Sequence, residues 1–389
     1  MDMKKLFEII DAKKDEYLSF LKDITEIESP TTYKEGIDAV GSYFIERAKK
    51  RGWKTEVIRQ ERAGNVVVIT MNPESEERPF CLSGHIDTVH PLGFFGSPCV
   101  KIEGNRMIGP GVCDCKGGCV NAFWVMDALS ELGYSKRPVM LLLQTDEETS
   151  SRESNKETIR YITERSKNAV AFFNMEPTIL DTGVILERKG IAKFEFTVSG
   201  KSEHASKCYD GASAIAEAAS KILKLEKYKS EDGITCSCGT VNGGTVPNTV
   251  PEKCVFTLDA RFKNEEQYKE ICAIIHKVAE EKSIPGTCCS VSGIGYRPSM
   301  PHSEKNYKLL DGINGALKEA GLAELKTVIA FGGSDAAYIT LAGIPVIDSI
   351  GAIGDNVHNR NEYILTDVFS LPTKRIAAFI VKEQEPGNG

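Results

Sequence analysis

Two short stretches of this chain are apolar at successive positions and end in acid. Val139-Met140-Leu141-Leu142-Leu143 leads through Gln144-Thr145 into Asp146-Glu147-Glu148, and Ala171-Phe172-Phe173 leads through Asn174-Met175 into Glu176. An apolar run of strand length without polar alternation fits a strand covered on both faces, as in a sheet between layers of helices. Carboxylates at the ends of such strands are costly unless they reach solvent, pair or bind a metal. These stretches predict an α/β layer structure and mark one end of its sheet as the place to look for chemistry.

The rest of the chain fits that frame. Leu6, Ile9, Ile10, Tyr17, Leu18, Leu21 and Ile24 recur at helical spacing over residues 3–28, and Ser29-Pro30 stops the helix. A second helical pattern covers Ile37–Ala48. Strand-like runs follow at Thr55–Ile58, Asn65–Met71 and Phe80–Ile86, then a helix at Lys116–Leu132 and strands at Pro138–Thr145 and Ala169–Met175. Near residue 190 the pattern changes. Phe194, Phe196 and Val198 alternate with Lys193, Glu195 and Thr197, and Cys254–Arg261 behaves similarly, which is the signature of an antiparallel sheet with one covered face. Helices near Ala212–Leu225 and Glu265–Lys282 accompany those strands. The α/β style returns with helix Tyr307–Ala320, strands Thr327–Phe331 and Ile344–Ile350, and helix Asp367–Val381. The expected domains are a catalytic α/β domain in two parts, 1–186 and 298–389, interrupted by an α+β domain at 187–297.

Composition narrows the function. The 389 residues are 41% hydrophobic and 26% charged, with a net charge of -7 and no dense Lys/Arg block, which argues against a nucleic-acid partner. The longest apolar runs fall far short of the roughly 20 residues of a spanning helix. The start lacks the pattern of a secretory signal, so a cytoplasmic protein without membrane attachment is expected. The twelve cysteines are spread through the chain and read as small buried hydrophobes in a reducing compartment.

Six histidines occur. His85 ends the run Phe80–Ile86 within Ser83-Gly84-His85-Ile86-Asp87-Thr88, and open α/β sheets place their sites at such strand ends. His358 lies in a Gly/Asp/Asn loop after Ile344–Ile350. Asp114 sits in Gly109-Pro110-Gly111-Val112-Cys113-Asp114-Cys115-Lys116-Gly117-Gly118, a loop that opens a helix. Histidine with Asp and Glu suits catalytic zinc. Taken singly, each is ordinary: His-X-Asp is common by chance, and an acidic pair after a strand is usually a solvated turn. The Gly-X-Gly-X-X-Gly and Walker spacings of nucleotide sites are absent from the glycine loop.

In this order and spacing the segments resemble the dizinc superfamily of aminoacylases, acetylornithine deacetylases, succinyl-diaminopimelate desuccinylases and glutamate carboxypeptidases. The resemblance covers nearly the whole chain. It leans to the glutamate carboxypeptidase branch through the loop at 109–118, Thr145-Asp146-Glu147-Glu148, Glu176-Pro177-Thr178 and Gly332-Gly333-Ser334-Asp335-Ala336-Ala337-Tyr338. It implies a zinc-exopeptidase-like α/β/α domain with an inserted ferredoxin-like lid and dimerisation domain. His85 and Glu176 would hold one zinc, Glu148 and His358 the other, with Asp114 bridging, and cobalt or manganese could replace zinc. Glu147 would be the general base, and Asp87 would orient His85. His204, in Gly200-Lys201-Ser202-Glu203-His204-Ala205, would steady the oxyanion from a neighbouring subunit. Asn248 and Arg261 would bind the substrate's α-carboxylate, and the turn at Gly332, Gly333 and Ser334 would add backbone donors. Without the resemblance, His204 reads as a surface histidine, Arg261 as a strand-end salt bridge, and Gly332-Gly333-Ser334 as a helix start.

The expected substrate is a small peptide or N-acyl amino acid, cut at an amide beside a free α-carboxylate. Carboxypeptidase action is the first reading and acetylornithine-type deacylation the second. A silent metal- or peptide-binding dimer is the rival of another class, disfavoured by intact Glu147; a one-zinc enzyme is a further rival. The chain departs from the pattern in three places. Ser206-Lys207-Cys208-Tyr209-Asp210 follows His204-Ala205 where relatives place Gly and Pro, Thr149-Ser150-Ser151 follows Glu148 where glycine is common, and Cys113 and Cys115 flank Asp114. If that segment is extended, both thiols point away from Asp114. Their nearness still raises the expectation of a site sensitive to peroxide. His90, His276 and His302 lack motif support, His276 reading as structural; Trp124 and Met126 read as core.

Overall fold

The computed structural model describes residues 2–179, 181–330 and 332–383. The chain divides into two compact units: Met1–Leu186 with His302–Ala330 and Tyr338–Gly389, and Glu187–Pro301 with Phe331–Ala337.

The first unit is built on a six-stranded sheet, in the order Lys54–Ile58, Val66–Met71, Val139–Gln144, Phe80–His85, Ala171–Asn174, Val346–Asp348. The last four of these run parallel, Val66–Met71 runs opposite to them, and Lys54–Ile58 pairs antiparallel with Val66–Met71. Every residue of Phe80–His85, Val139–Gln144, Ala171–Asn174 and Val346–Asp348 is buried, as the unalternating apolar runs require. From Phe80–His85 the chain passes through helix Lys116–Glu131 to Val139–Gln144 on one side. It then passes through helix Glu157–Arg165 to Ala171–Asn174 on the other side. The strand order therefore reverses at Phe80–His85, and the crevice beyond the carboxyl ends of these strands is where such sheets carry ligands.

Helix Lys116–Glu131 is buried on all sides from Lys116 to Leu129. Trp124 stacks on Tyr17 at 4.7 Å, so Trp124, like the fully buried Met126, belongs to the core. A side chain on Gly118 would lie 1.9 Å from the Met175 carbonyl oxygen. Only glycine lets this helix start so close to the strand end that leads to Glu176.

The second unit is a four-stranded antiparallel sheet in the order Thr235–Gly243, Lys253–Phe262, Gly190–Ser199, Cys288–Arg297. With helices Ala214–Leu225 and Glu265–Glu280 the chain order is βαββαβ, the ferredoxin-like arrangement. Phe196 stacks on Phe256 at 4.5 Å under the helices, and Lys193 stands exposed on the other face. The two edge strands are mostly exposed and bulged, which is why hydrophobic alternation does not mark them. No helix among the described residues is long and apolar enough to cross a membrane.

Several expected elements differ. The helix over 3–28 is two, Met3–Ala12 and Lys14–Thr25, broken at Lys13. Lys13 turns its ammonium to Asp127 and Glu131, and Tyr17 donates to Asp127 at 2.7 Å, pinning the second helix to the buried one. The helix over Asp367–Val381 starts only at Leu371, because Pro372 lacks an N–H and fits only the first turn. Of the strand over Thr327–Phe331, Thr327 pairs in the short strand Lys326–Thr327, Val328 donates to the Val184 carbonyl and Ala330 is an isolated bridge, while Phe331 lies outside the described residues. His276 is on the exposed side of its helix rather than packed.

Candidate metal centre

The carboxyl ends of the parallel strands bring the expected residues together. His85 is the last residue of its strand and almost fully buried; Glu147 and Glu148 open a short 3₁₀ turn after Val139–Gln144; Glu176 lies two residues past Ala171–Asn174. Asp114 enters from the turn before helix Lys116–Glu131. Its two carboxylate oxygens are divided: Oδ1 lies 3.1 Å from Nε2 of His85, and Oδ2 lies 3.2 Å from Nε2 of His358. Nε2 of His358 is also 3.2 Å from Oε2 of Glu148, and Nε2 of His85 is 3.8 Å from Oε1 of Glu176. His358 holds its place from a left-handed backbone, φ 61°, a conformation that costs a non-glycine residue and tends to occur at functional sites.

Asp87 is fully buried behind this cluster. Its carbonyl oxygen lies 3.0 Å from Nδ1 of His85, which leaves Nε2 facing the acids. Its carboxylate accepts from the backbone N–H of Glu147 and of Glu148, both at 3.2 Å, and from the Thr31 hydroxyl at 2.7 Å. One residue thus aligns both the imidazole, through its carbonyl, and the acidic turn, through its carboxylate. Ser150 and Ser151 both adopt positive φ and carry the chain out of that turn.

The electrostatics describe a site short of positive charge. Burial pushes the Glu148 carboxyl up to about 7, although His358 donates to it. Glu176 is pushed well up by burial and by the charges of Asp114 and Glu147. Asp114 is held low despite its burial, by hydrogen bonds from His358 and His85. His85 is buried, which opposes its charge, yet Asp114 and Asp87 raise it well above an ordinary histidine; Asp114 and Glu148 raise His358 to about 11. No lysine or arginine pairs with Asp114, Glu148 or Glu176 among the described residues. Imidazole nitrogens and carboxylate oxygens converge with no lysine or arginine among them, and this donor set suits a divalent metal. The groups His85–Asp114–Glu148 and His85–Cys115–Glu176 each bring three possible ligand atoms within 4.8 Å of one another.

Sequence reasoning missed Glu362. It is almost fully buried, and its carboxylate accepts from the backbone N–H of Gly111, Cys113 and Asp114 at 3.3, 2.8 and 3.0 Å. His90 lies against the same carboxylate at 3.3 Å. Glu362 therefore fixes the loop that presents Asp114. In sequence it is one acid in a polar loop four residues after His358, and nothing local separates it from a solvated one. Glu362→Gln exchanges one acceptor oxygen for an amide donor facing N–H groups. Metal affinity is expected to fall by about 10–100-fold, as with other outer partners of metal sites, in a competition titration against a chromophoric chelator. Unchanged affinity would mean that the loop keeps its shape unaided.

The remaining expected residues are in the second unit. His204 is exposed, with Nδ1 2.8 Å from the Ser206 hydroxyl. His204 pairs with Thr249, and the Asn248 carbonyl accepts from Ala205 N–H at 2.9 Å, so His204 and Asn248 are neighbours. Arg261 is not beside them. His204 and Asn248 lie past the Ser199/Lys253 end of the sheet, whereas Arg261 is paired with Ile191, eight residues further along. At the rise of an extended strand that is about 26 Å. Arg261 forms the expected strand-end ion pair with Asp259, at 2.5 and 3.2 Å. Gly333 packs its backbone on the side chains of Arg297 and Ile191, Arg188 donates to the Gly332 carbonyl at 3.0 Å, and the Ser334 hydroxyl accepts from Ala336 N–H at 3.2 Å. Ser334 thus caps the start of helix Ala336–Leu341.

Cys115 does not point away from the site as an extended segment would require. The chain around Asp114 is turned rather than extended, so alternation does not carry Cys115 away, and its sulfur lies among His85 and Glu176.

Residues 81–382 match the model of peptidase family M20/M25/M40. Carboxypeptidase G2 of a Pseudomonas species is 28% identical over 377 residues, covering 95% of this chain and 89% of that protein. Succinyl-diaminopimelate desuccinylase of Wolinella succinogenes is 22% identical over 346 residues, covering 83% and 89%. Among solved structures, the fold resembles aminopeptidase PepT from Bacillus cereus, with TM-score 0.78, 19% identity and coverage of 96% and 99%. It also resembles the M20 family metallo-carboxypeptidase Sso-CP2 from Sulfolobus solfataricus, with TM-score 0.76, 18% identity and coverage of 94% and 98%. The chain belongs to peptidase family M20/M25/M40 and is a metal-dependent hydrolase built from an α/β domain and a ferredoxin-like α+β domain.

Proposed function

We propose that this enzyme hydrolyses an amide bond beside a free α-carboxylate, as a carboxypeptidase-type exopeptidase with two zinc ions. The observation that carries the reading is the division of the Asp114 carboxylate between His85 and His358. A carboxylate so placed suits a bridge between two ions. His85 and Glu176 hold one, and Glu148 and His358 hold the other. Asp114, Glu147, Glu148 and Glu176 bring four negative charges, and two divalent cations bring four positive. Cobalt and manganese suit the same nitrogen and oxygen donors.

Bound there, the ions supply Lewis acidity and a water acidified toward neutrality. Glu147 takes the proton of the attacking water and delivers it to the leaving nitrogen. Asp87 keeps His85 and the Glu147-Glu148 turn aligned. Arg261 binds the substrate's α-carboxylate with its two-pronged guanidinium, helped by backbone donors at Gly332, Gly333 and Ser334. His204 supports the developing oxyanion, and Asn248 acts beside it on the same substrate. The distance between Arg261 and the His204–Asn248 pair within one sheet supports their serving different copies, hence a homodimer. Exposed Val241 and Val246, on and beside the open edge strand Thr235–Gly243, support contact between copies through this domain. Twelve free thiols suit a reducing cytoplasm.

The test is a hydrolysis screen with zinc, cobalt or manganese supplied. Dipeptides ending in glutamate, alanine or lysine are compared with N-acyl amino acids and N-acetylornithine. Release of the C-terminal residue from a dipeptide is the expected result. Turnover of the acyl amino acids alone would replace the exopeptidase by a deacylase, a reading supported by relatives named desuccinylase and acetylornithine deacetylase. Silence across the panel with metal bound would count against both.

A further inference from the structure

Cys115 occupies the turn immediately before helix Lys116–Glu131, directly after Asp114. Its Sγ, a ring nitrogen of His85 and a carboxylate oxygen of Glu176 all lie within 4.8 Å of one another. The sulfur is fully buried, and its thiol donates to the Met175 carbonyl at 2.9 Å, one residue before Glu176. Gly84, the residue before His85, leaves room for it: a side chain there would come within 3.1 Å of Cys115 Sγ and 2.8 Å of Cys119 Sγ. Cys113 is different. It packs against Gly354 and joins no group of possible ligands among the described residues.

We propose that Cys115 is a sulfur ligand of the ion held by His85 and Glu176, so that this half of the centre is a nitrogen, oxygen and sulfur site. The inference rests on the metal-site reading given above and adds a donor to it. The step is a proton exchange without change of oxidation state. The Cys115 S–H bond breaks, its hydrogen bond to Met175 is lost, the proton passes to water, and a sulfur–metal bond forms. Burial among carboxylates favours the neutral thiol while no cation is present, and a coordinated divalent ion reverses that preference. The N-terminus of helix Lys116–Glu131 adds a favourable field for a thiolate. Thiolate is a soft donor. It raises affinity for zinc and cobalt and does little for manganese. The two halves of the centre would then differ in metal preference.

X-ray absorption on the zinc-loaded full chain reads the ligand directly. A sulfur shell at about 2.3 Å, beside nitrogen and oxygen at about 2.0–2.1 Å, is expected. Cobalt-loaded protein is expected to show a sulfur-to-cobalt charge-transfer band. Cys115→Ser should lose both signals and bind zinc at least about tenfold more weakly, with manganese binding unchanged, because the soft donor alone is removed. Cys119→Ser should keep both signals. Zinc bound through nitrogen and oxygen only, or a charge-transfer band that survives Cys115→Ser, overturns the inference and leaves the metal centre standing. A wild-type chain that binds neither zinc nor cobalt overturns the metal-site reading itself. The wild-type spectrum decides the matter even if the variant fails to fold.

Discussion

Asp114→Ala is expected to leave the folded chain unable to hold the two ions proposed for its metal centre. Each oxygen of that carboxylate faces a different histidine, at 3.1 and 3.2 Å, so one substitution removes an anionic donor from both halves. Removing an outer partner of a metal site typically costs about 10–100-fold in affinity, and loss of a shared ligand should cost more. Turnover should fall by at least about 10³-fold, roughly 4 kcal/mol of transition-state stabilisation. Metal per chain after equilibrium dialysis is the measurement. Two ions retained, with turnover, would show that Asp114 does not bridge.

The same titration, run on wild-type protein at several pH values, tests the electrostatics. Asp114 and Glu148 raise His358 to about 11 in the metal-free chain, and Asp114 and Asp87 raise His85. His358 is therefore protonated at neutral pH and must lose that proton to become a ligand, and the upward shift of His85 acts in the same direction. Binding releases protons, and apparent affinity rises with pH until His358 is neutral without metal, near 11. Each proton displaced is worth up to about tenfold per pH unit. Affinity that rises as pH falls would contradict this assignment.

Glu147→Gln is the complementary experiment. The amide keeps the size of the side chain and leaves the backbone N–H bonded to Asp87, so metal content should not change. It cannot take a proton from water. General-base catalysis contributes about 10²–10⁴-fold, so kcat should drop by that factor while KM stays within a few-fold. A variant with wild-type kcat would show that another group is the base. Loss of metal instead would make Glu147 a ligand.

The metal candidates were legible because their positions follow from strand ends. Unalternating apolar runs specify buried parallel strands, and chemistry at their carboxyl ends follows from how such sheets are connected. His85, Glu147, Glu148 and Glu176 thus fall at the carboxyl ends of buried strands, and the glycine loop adds Asp114. The edge strands of the second unit were not legible, because their side chains mostly face water and leave no periodic record.

The sequence by itself determined the α/β frame, the alternating second domain and the set of acids and imidazoles at one sheet end, since burial writes a local pattern at each strand. Only the tertiary structure decided how those groups face one another. It divided Asp114 between two histidines, set Glu362 beneath the loop from nearly 250 residues away, grouped Asn248 with His204 rather than Arg261, and turned Cys115 toward His85. Each depends on contacts between segments remote in the chain or on a turn that breaks strand alternation, and neither leaves a period for a single sequence to show.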